Sequence, residues 1–102
     1  MDLKPVADIA NMEDLRVQID QIDAALVRLL ALRQAHIGRA AELKPGEGLP
    51  ARIDDRVDAV LAHVRAKAEV AGLDAGLAET LWREMIEWAI AYEDRHMSQK
   101  KG

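Results

Sequence analysis

The sequence predicts an all-α protein, and three observations carry that expectation. Hydrophobic residues make up 50% of the chain while aromatics make up only 3% and Phe is absent; much of the apolar content is Ala and Leu, which favour helix over strand. Apolar positions recur at alternating threes and fours, the period of an amphipathic helix. The breaks in that period fall on Pro45-Gly46, on Gly72 and on Asp74, residue types that end or begin helices.

Residues 1–11 carry Pro5 and no sustained period, so they read as a flexible lead-in. From about Met12 the apolar positions Leu15, Ile19, Ile22, Leu26, Leu29, Ile37 and Ala40 form one stripe that runs to about Lys44. Pro45 to Pro50 is a loop by its turn residues. A second helix is expected to begin near Ala51 or Ile53, with Asp54 and Asp55 in its first turns against the macrodipole and Val57, Val60, Leu61 and Val64 on one face, and to end near Ala71-Gly72. Asp74 is the candidate N-cap of a third helix through Leu77, Leu81, Met85, Trp88 and Tyr92, fraying into a disordered tail at residues 98–102.

The first helix decides the architecture. Some 32 residues at about 1.5 Å each make a rod of roughly 48 Å, whereas a compact domain of this size has a radius of gyration of about 13 Å. A second copy alongside, related by two-fold symmetry, would cover the rest of the stripe; the alternative, a helix broken in mid-run, has only Gly38 to break it. A chain of 102 residues also has little core of its own. It has no Cys, and His36, His63 and His96 lack the close spacing of a structural zinc site, so association is the remaining common route to stability.

Charge and patterning exclude other classes. A net charge of −4 argues against a nucleic-acid surface. No segment approaches the roughly 20 apolar residues of a membrane span, and the amino terminus lacks the pattern of a secretory signal. A soluble, cytoplasmic protein is the expectation.

Polar residues interrupt the apolar stripes at a few places. On the first helix the stripe continues from Leu29 to Arg33, Ile37, Ala40 and Lys44; Arg33 and Lys44 share a face roughly 16 Å apart along the axis. On the third, Trp82, Ile86 and Ala89 lead to Glu93. Two cations and a carboxyl on apolar faces could bracket a small anion, because buried charges are costly unless paired. The ordinary reading of each is snorkelling to water or a simple ion pair. Arg16 lies about 25 Å from Arg33 along a straight helix and about 100° around it, so the two could share a site only across two antiparallel chains; its ordinary reading is a surface residue. Trp82, Trp88 and Tyr92 read as packing residues of the third helix, and His36 and His63 as surface or interface residues.

These residues resemble a known family. The stretch LRVQIDQIDAALVRLLALRQAHIGRAAELK closely resembles the first helix of the all-helical chorismate mutases, with its leading Arg, Ile-Asp-xx-Asp, Leu-Leu-xx-Arg and terminal Lys. The likeness continues through PARIDDRV and IEWAIAYE and covers residues 12–97. It implies an interlocked homodimer of three-helix subunits that rearranges chorismate to prephenate without metal or cofactor. By position, Arg16 looks like the Arg donated by the partner chain. Arg33, Lys44 and Arg56 look like the site's own cations, with Arg16 and Arg33 on substrate carboxylates and Lys44 on the ether oxygen. Glu93 stands where many bacterial relatives have Gln and where the fungal enzymes have Glu.

The chemistry fits such an inventory. A dianion suits bidentate guanidinium groups, and the rearrangement needs confinement of the substrate and donors aimed at the ether oxygen rather than an external acid or nucleophile. The chain departs from the pattern at Ile53 and Val57, where many mutases are acidic, and at Ala89, where they have Ser. Those departures, with Arg56-Val57 and the run Gly72-Leu73-Asp74-Ala75, also look like the isochorismate pyruvate-lyases of the same fold, which release pyruvate and leave salicylate. A catalytically silent helical dimer, a binding or regulatory module, is the third possibility.

Overall fold

The computed structural model describes residues 1–99 and contains three α-helices among them: α1 (Met12–Leu43), α2 (Asp54–Ala71) and α3 (Ala75–Gln99). Short 3₁₀ turns stand at Val6–Asp8 and Pro45–Glu47, and no strand occurs among the described residues. Gly38 does not interrupt α1, which is continuous over its 32 residues. α3 extends to Gln99, and the remainder of the tail expected at 98–102 lies outside the described residues. The chain divides into two units, residues 1–35 and residues 36–102.

In the N-terminal unit the lead-in makes hydrogen bonds within itself and to α1. Pro5 opens the first 3₁₀ turn, whose N–H of Asp8 donates to the Pro5 carbonyl at 2.9 Å. Lys4 is tied to α1 twice: its backbone N–H donates to Gln18 Oε1 at 2.7 Å, and Gln18 Nε2 donates back to the Lys4 carbonyl at 3.3 Å. Asn11 caps α1. Its Oδ1 accepts the N–H of Asp14 at 2.8 Å, and its Nδ2 donates to the Asp14 carboxylate at 3.2 Å, so one of the orphan donors of the first turn is satisfied. Beyond this cap the apolar side chains of α1 face water: Val17, Ile19, Ile22, Leu26, Val27, Leu29 and Leu30 are all exposed.

The C-terminal unit does have a core. Ala41, Ala51, Leu61, Ile86, Ile90 and Met97 are buried together, with Val57, Val60 and Trp82 packed against them. Ala68, Ala78 and Ala89 are buried as well; such small side chains let helix backbones approach closely. α2 begins at Asp54, slightly later than its sequence suggests, because Ile53 is extended (φ −124°, ψ 101°) and cannot be part of the helix. At the other end Gly72, at φ 78°, takes the left-handed conformation, and the N–H groups of Gly72 and Leu73 bond to the carbonyls of Glu69 and Ala68 at 3.3 and 2.8 Å. That pairing is the Schellman motif, which satisfies carbonyls α2 would otherwise leave open. Asp74 then caps α3 as expected, accepting the N–H of Leu77 at 2.8 Å.

Glu79 ties α3 to α2 through Arg65 at 3.2 Å and pairs within α3 with Arg83 at 3.3 Å. Of the three aromatic residues expected to pack, Trp88 is the one that departs from that role. Trp82 is half-buried on the core, but Trp88 is 46% exposed and stacks on Tyr92, with ring centroids 5.3 Å apart. Tyr92 stacks in turn on His96 at 3.8 Å. One helix face cannot bury residues at 82 and 88 equally, since six positions span about 240° around the axis. His36 and His63 are exposed, in line with their expected surface positions.

Candidate functional site

Among the described residues of the C-terminal unit one charged side chain is deeply buried. Glu93 is 4% exposed on α3, one turn beyond Ala89 and Ile90. Lys44, the residue after α1, reaches it: Nζ lies 2.6 Å from Glu93 Oε1. The contact is one of opposite charges without an aligned hydrogen bond, so Oε1 is left with no directed donor among the described residues. Lys44 Nζ aims its well-formed bond elsewhere, at the backbone carbonyl of Ala51, 2.8 Å away.

This arrangement is costly as architecture and useful as chemistry. Taking a carboxylate and an ammonium out of water carries a desolvation penalty that their attraction offsets only with good geometry and full hydrogen bonding. Here the carboxylate is incompletely satisfied, and an apolar pair would fill the same space at lower cost. An ammonium has three N–H donors; with one on Ala51 and the charge held toward Glu93, Lys44 retains donor capacity for a further acceptor. The side chains of Ile53 and Val57 are half-buried and apolar, and supply no polar group.

The expected site residues are therefore placed as follows. Lys44 and Glu93 are brought together. Arg56 is exposed in the first turn of α2 and has no ion-pair partner among the described residues. Arg16 and Arg33 belong to the N-terminal unit, Arg16 exposed and Arg33 half-buried, and neither is ion-paired among the described residues. Two partners escaped the sequence reading. The Ala51 carbonyl has no residue-type signature, because every residue carries one. Arg52, whose Nη2 meets Glu87 Oε2 at 2.6 Å, reads in sequence as one more surface charge. Among the described residues no cluster of His, Cys, Asp and Glu could hold a metal ion, and no helix is long and apolar enough to cross a membrane.

Comparison with known proteins gives this geometry a family. The chain is 34% identical over 101 residues to a protein named isochorismate pyruvate lyase from Pseudomonas aeruginosa, covering 98% of each chain. It is also 34% identical over 86 residues to the T-protein of Enterobacter agglomerans, and 33% identical over 84 residues to that of Haemophilus influenzae. Those alignments take in 84% and 82% of this chain but only 23% and 22% of the T-proteins. The sequence profile named "Chorismate mutase type II" matches residues 15–94, a span that contains Arg16, Arg33, Lys44, Arg56 and Glu93 together with nearly all of the three helices, and on that match the chain belongs to the chorismate mutase type II family.

Proposed function

We propose that the protein is a chorismate mutase that rearranges chorismate to prephenate in a cationic site completed by a second copy of the chain. The observation that carries this reading is the buried Lys44–Glu93 contact, in which an ammonium is held at 2.6 Å from a carboxyl that lacks a directed donor. Lys44 donates to the ether oxygen as negative charge develops there, an interaction that strengthens in the transition state. Glu93 adds a second donor when protonated. Arg33 and Arg16, the latter from the partner chain, hold the carboxylates, and Arg56 adds positive field near them. The exposed apolar residues of α1 support the dimer, since a contiguous apolar surface of that kind marks an association face.

A second reading has its own support. Val57 and Ile53 are apolar where a mutase would present a carboxylate to the substrate's ring hydroxyl, and the lyase relative matches along nearly its whole length. The same cations would then hold isochorismate and promote loss of pyruvate. Incubating the purified protein separately with chorismate and with isochorismate, and identifying the products, decides between them. Prephenate from the first substrate is the expected outcome; salicylate and pyruvate from the second, with chorismate untouched, would replace the mutase reading by the lyase one.

A further inference from the structure

The loop that follows α1 folds back onto Lys44 from both ends of that residue. The Lys44 carbonyl accepts N–H bonds from Glu47 at 3.1 Å and Leu49 at 2.9 Å, and Gly48, at φ 70°, supplies the left-handed residue that lets the chain reverse. Seven residues on from Lys44, the Ala51 carbonyl accepts from Lys44 Nζ at 2.8 Å. Ala51 itself is 5% exposed, its methyl group fixed in the core with Ala41, Leu61 and Ile86. The next residue, Arg52, is tied at 2.6 Å to Glu87 on α3, on the solvent side of the same segment.

We infer that Ala51-Arg52 is a positioning clamp for Lys44: the Ala51 carbonyl sets the direction of the ammonium, and the Arg52–Glu87 ion pair fastens that carbonyl to α3. The inference rests on the reading that Lys44 acts on the substrate. Its physical basis is the length of the lysine side chain, whose four rotatable bonds would otherwise let Nζ wander and lie fully against Glu93. A backbone acceptor held from inside by a buried methyl and from outside by an ion pair removes that freedom. Both groups of the ion pair respond to it: Glu87 is held below its ordinary carboxylate range by its bond to Arg52, and the Arg52 guanidinium is raised by Glu87. The pair therefore persists into mildly acid solution. Because both side chains are well exposed, the effect of removing it is modest and sensitive to salt.

The test uses the full chain and two readouts. In the substrate-free protein labelled with ¹⁵N-lysine, the Lys44 ammonium protons, assigned by their loss in Lys44→Arg, are expected to exchange slowly with water. Arg52→Ala should speed that exchange several-fold, and the reversed pair Arg52→Glu with Glu87→Arg should slow it again, while in uniformly ¹⁵N-labelled protein the backbone signals away from residues 44–53 and from the surroundings of residue 87 stay in place. In turnover, Arg52→Ala should lower kcat about threefold, the scale of one exposed ion pair, with KM changed by less than twofold, and the reversed pair should recover most of the loss. Unchanged Lys44 exchange in Arg52→Ala overturns the clamp, as does altered exchange with unchanged kcat. A wild type that turns over neither chorismate nor isochorismate, with exchange responding as stated, would leave the clamp standing and remove the proposed reaction.

Discussion

The two units of this chain place their apolar residues differently. In residues 1–35, α1 presents Val17, Ile19, Ile22, Leu26, Val27, Leu29 and Leu30 to solvent; in residues 36–102 a smaller set of Ala, Leu, Ile and Met side chains is buried together, and a charged pair is set among them. One unit is apolar where it meets water, and the other is charged where it does not. Each departs from the usual distribution, and each departure is unfavourable for an isolated chain. Exposed apolar helix needs a partner surface, and a buried ion pair needs a reason beyond stability. On the proposed reading, the exposed apolar residues of the first unit would serve association and the buried charged pair of the second would serve chemistry.

The largest expected effect tests the second half of that contrast. Lys44→Ala should lower turnover by about 10²–10³, the worth of one transition-state donor, and should also destabilise the fold by about 3 kcal/mol by leaving the buried Glu93 without its counter-charge. The apolar pair Lys44→Met with Glu93→Leu should restore the denaturant midpoint without restoring turnover. Near-normal turnover in Lys44→Ala would return that residue to an ordinary snorkelling role. The first half is tested by charge on α1. If the proposed dimer forms through α1, Leu26→Glu with Leu29→Glu should give a monomer in light scattering, whereas Val70→Glu, at an apolar residue of α2 that is 92% exposed, should leave the dimer mass unchanged. Equal masses for both variants would break the comparison.

Much of this was legible in the residues. Gly72 and Asp74 mark the turn between α2 and α3 because left-handed backbone and an N-cap each demand a particular residue type. Lys44 and Glu93 stood out because they fall on apolar stripes, and periodicity detects such interruptions. Periodicity is silent about acceptors in the main chain, so the Ala51 carbonyl was invisible. It also assigned Trp88 to the interior, because a helix rich in apolar residues on several faces does not announce which one it buries. Asn11 followed three residues later by Asp14 is a cap in a form that the lead-in's lack of period concealed.

Smaller effects sharpen the picture of the charged pair and its surroundings. Glu93→Gln replaces a group that donates only when protonated by a permanent N–H donor of nearly the same shape. It should retain turnover if Glu93 serves the reaction as a hydrogen-bond donor, and a variant that loses turnover as Lys44→Ala does would remove that role. The smallest effect concerns Glu79. Its side-chain bond to Arg83, with help from Arg65, holds it below its ordinary value. A depressed carboxylate contributes stability above its unfolded pKa and loses it as pH falls through the folded one. Glu79→Gln should therefore lower the melting temperature slightly near neutrality and flatten its fall on the acid side, with turnover unaffected.

The turn at Gly72–Asp74 also bears on how the chain reaches its fold. The two helices it joins are neighbours in sequence, so bringing them together closes a very short loop and costs little chain entropy. Helical pairings of such low sequence separation form on the microsecond to millisecond scale. The hairpin of α2 and α3, with Ala68 and Ala78 at its closed end, is therefore expected to assemble early. The proposed association through α1 would be a bimolecular step whose rate scales with protein concentration. Refolding followed by Trp fluorescence should then show a fast phase independent of concentration and a slower one that quickens as protein is added, so that a crowded solution and a dilute one fill the native state by the same first step and at different second rates.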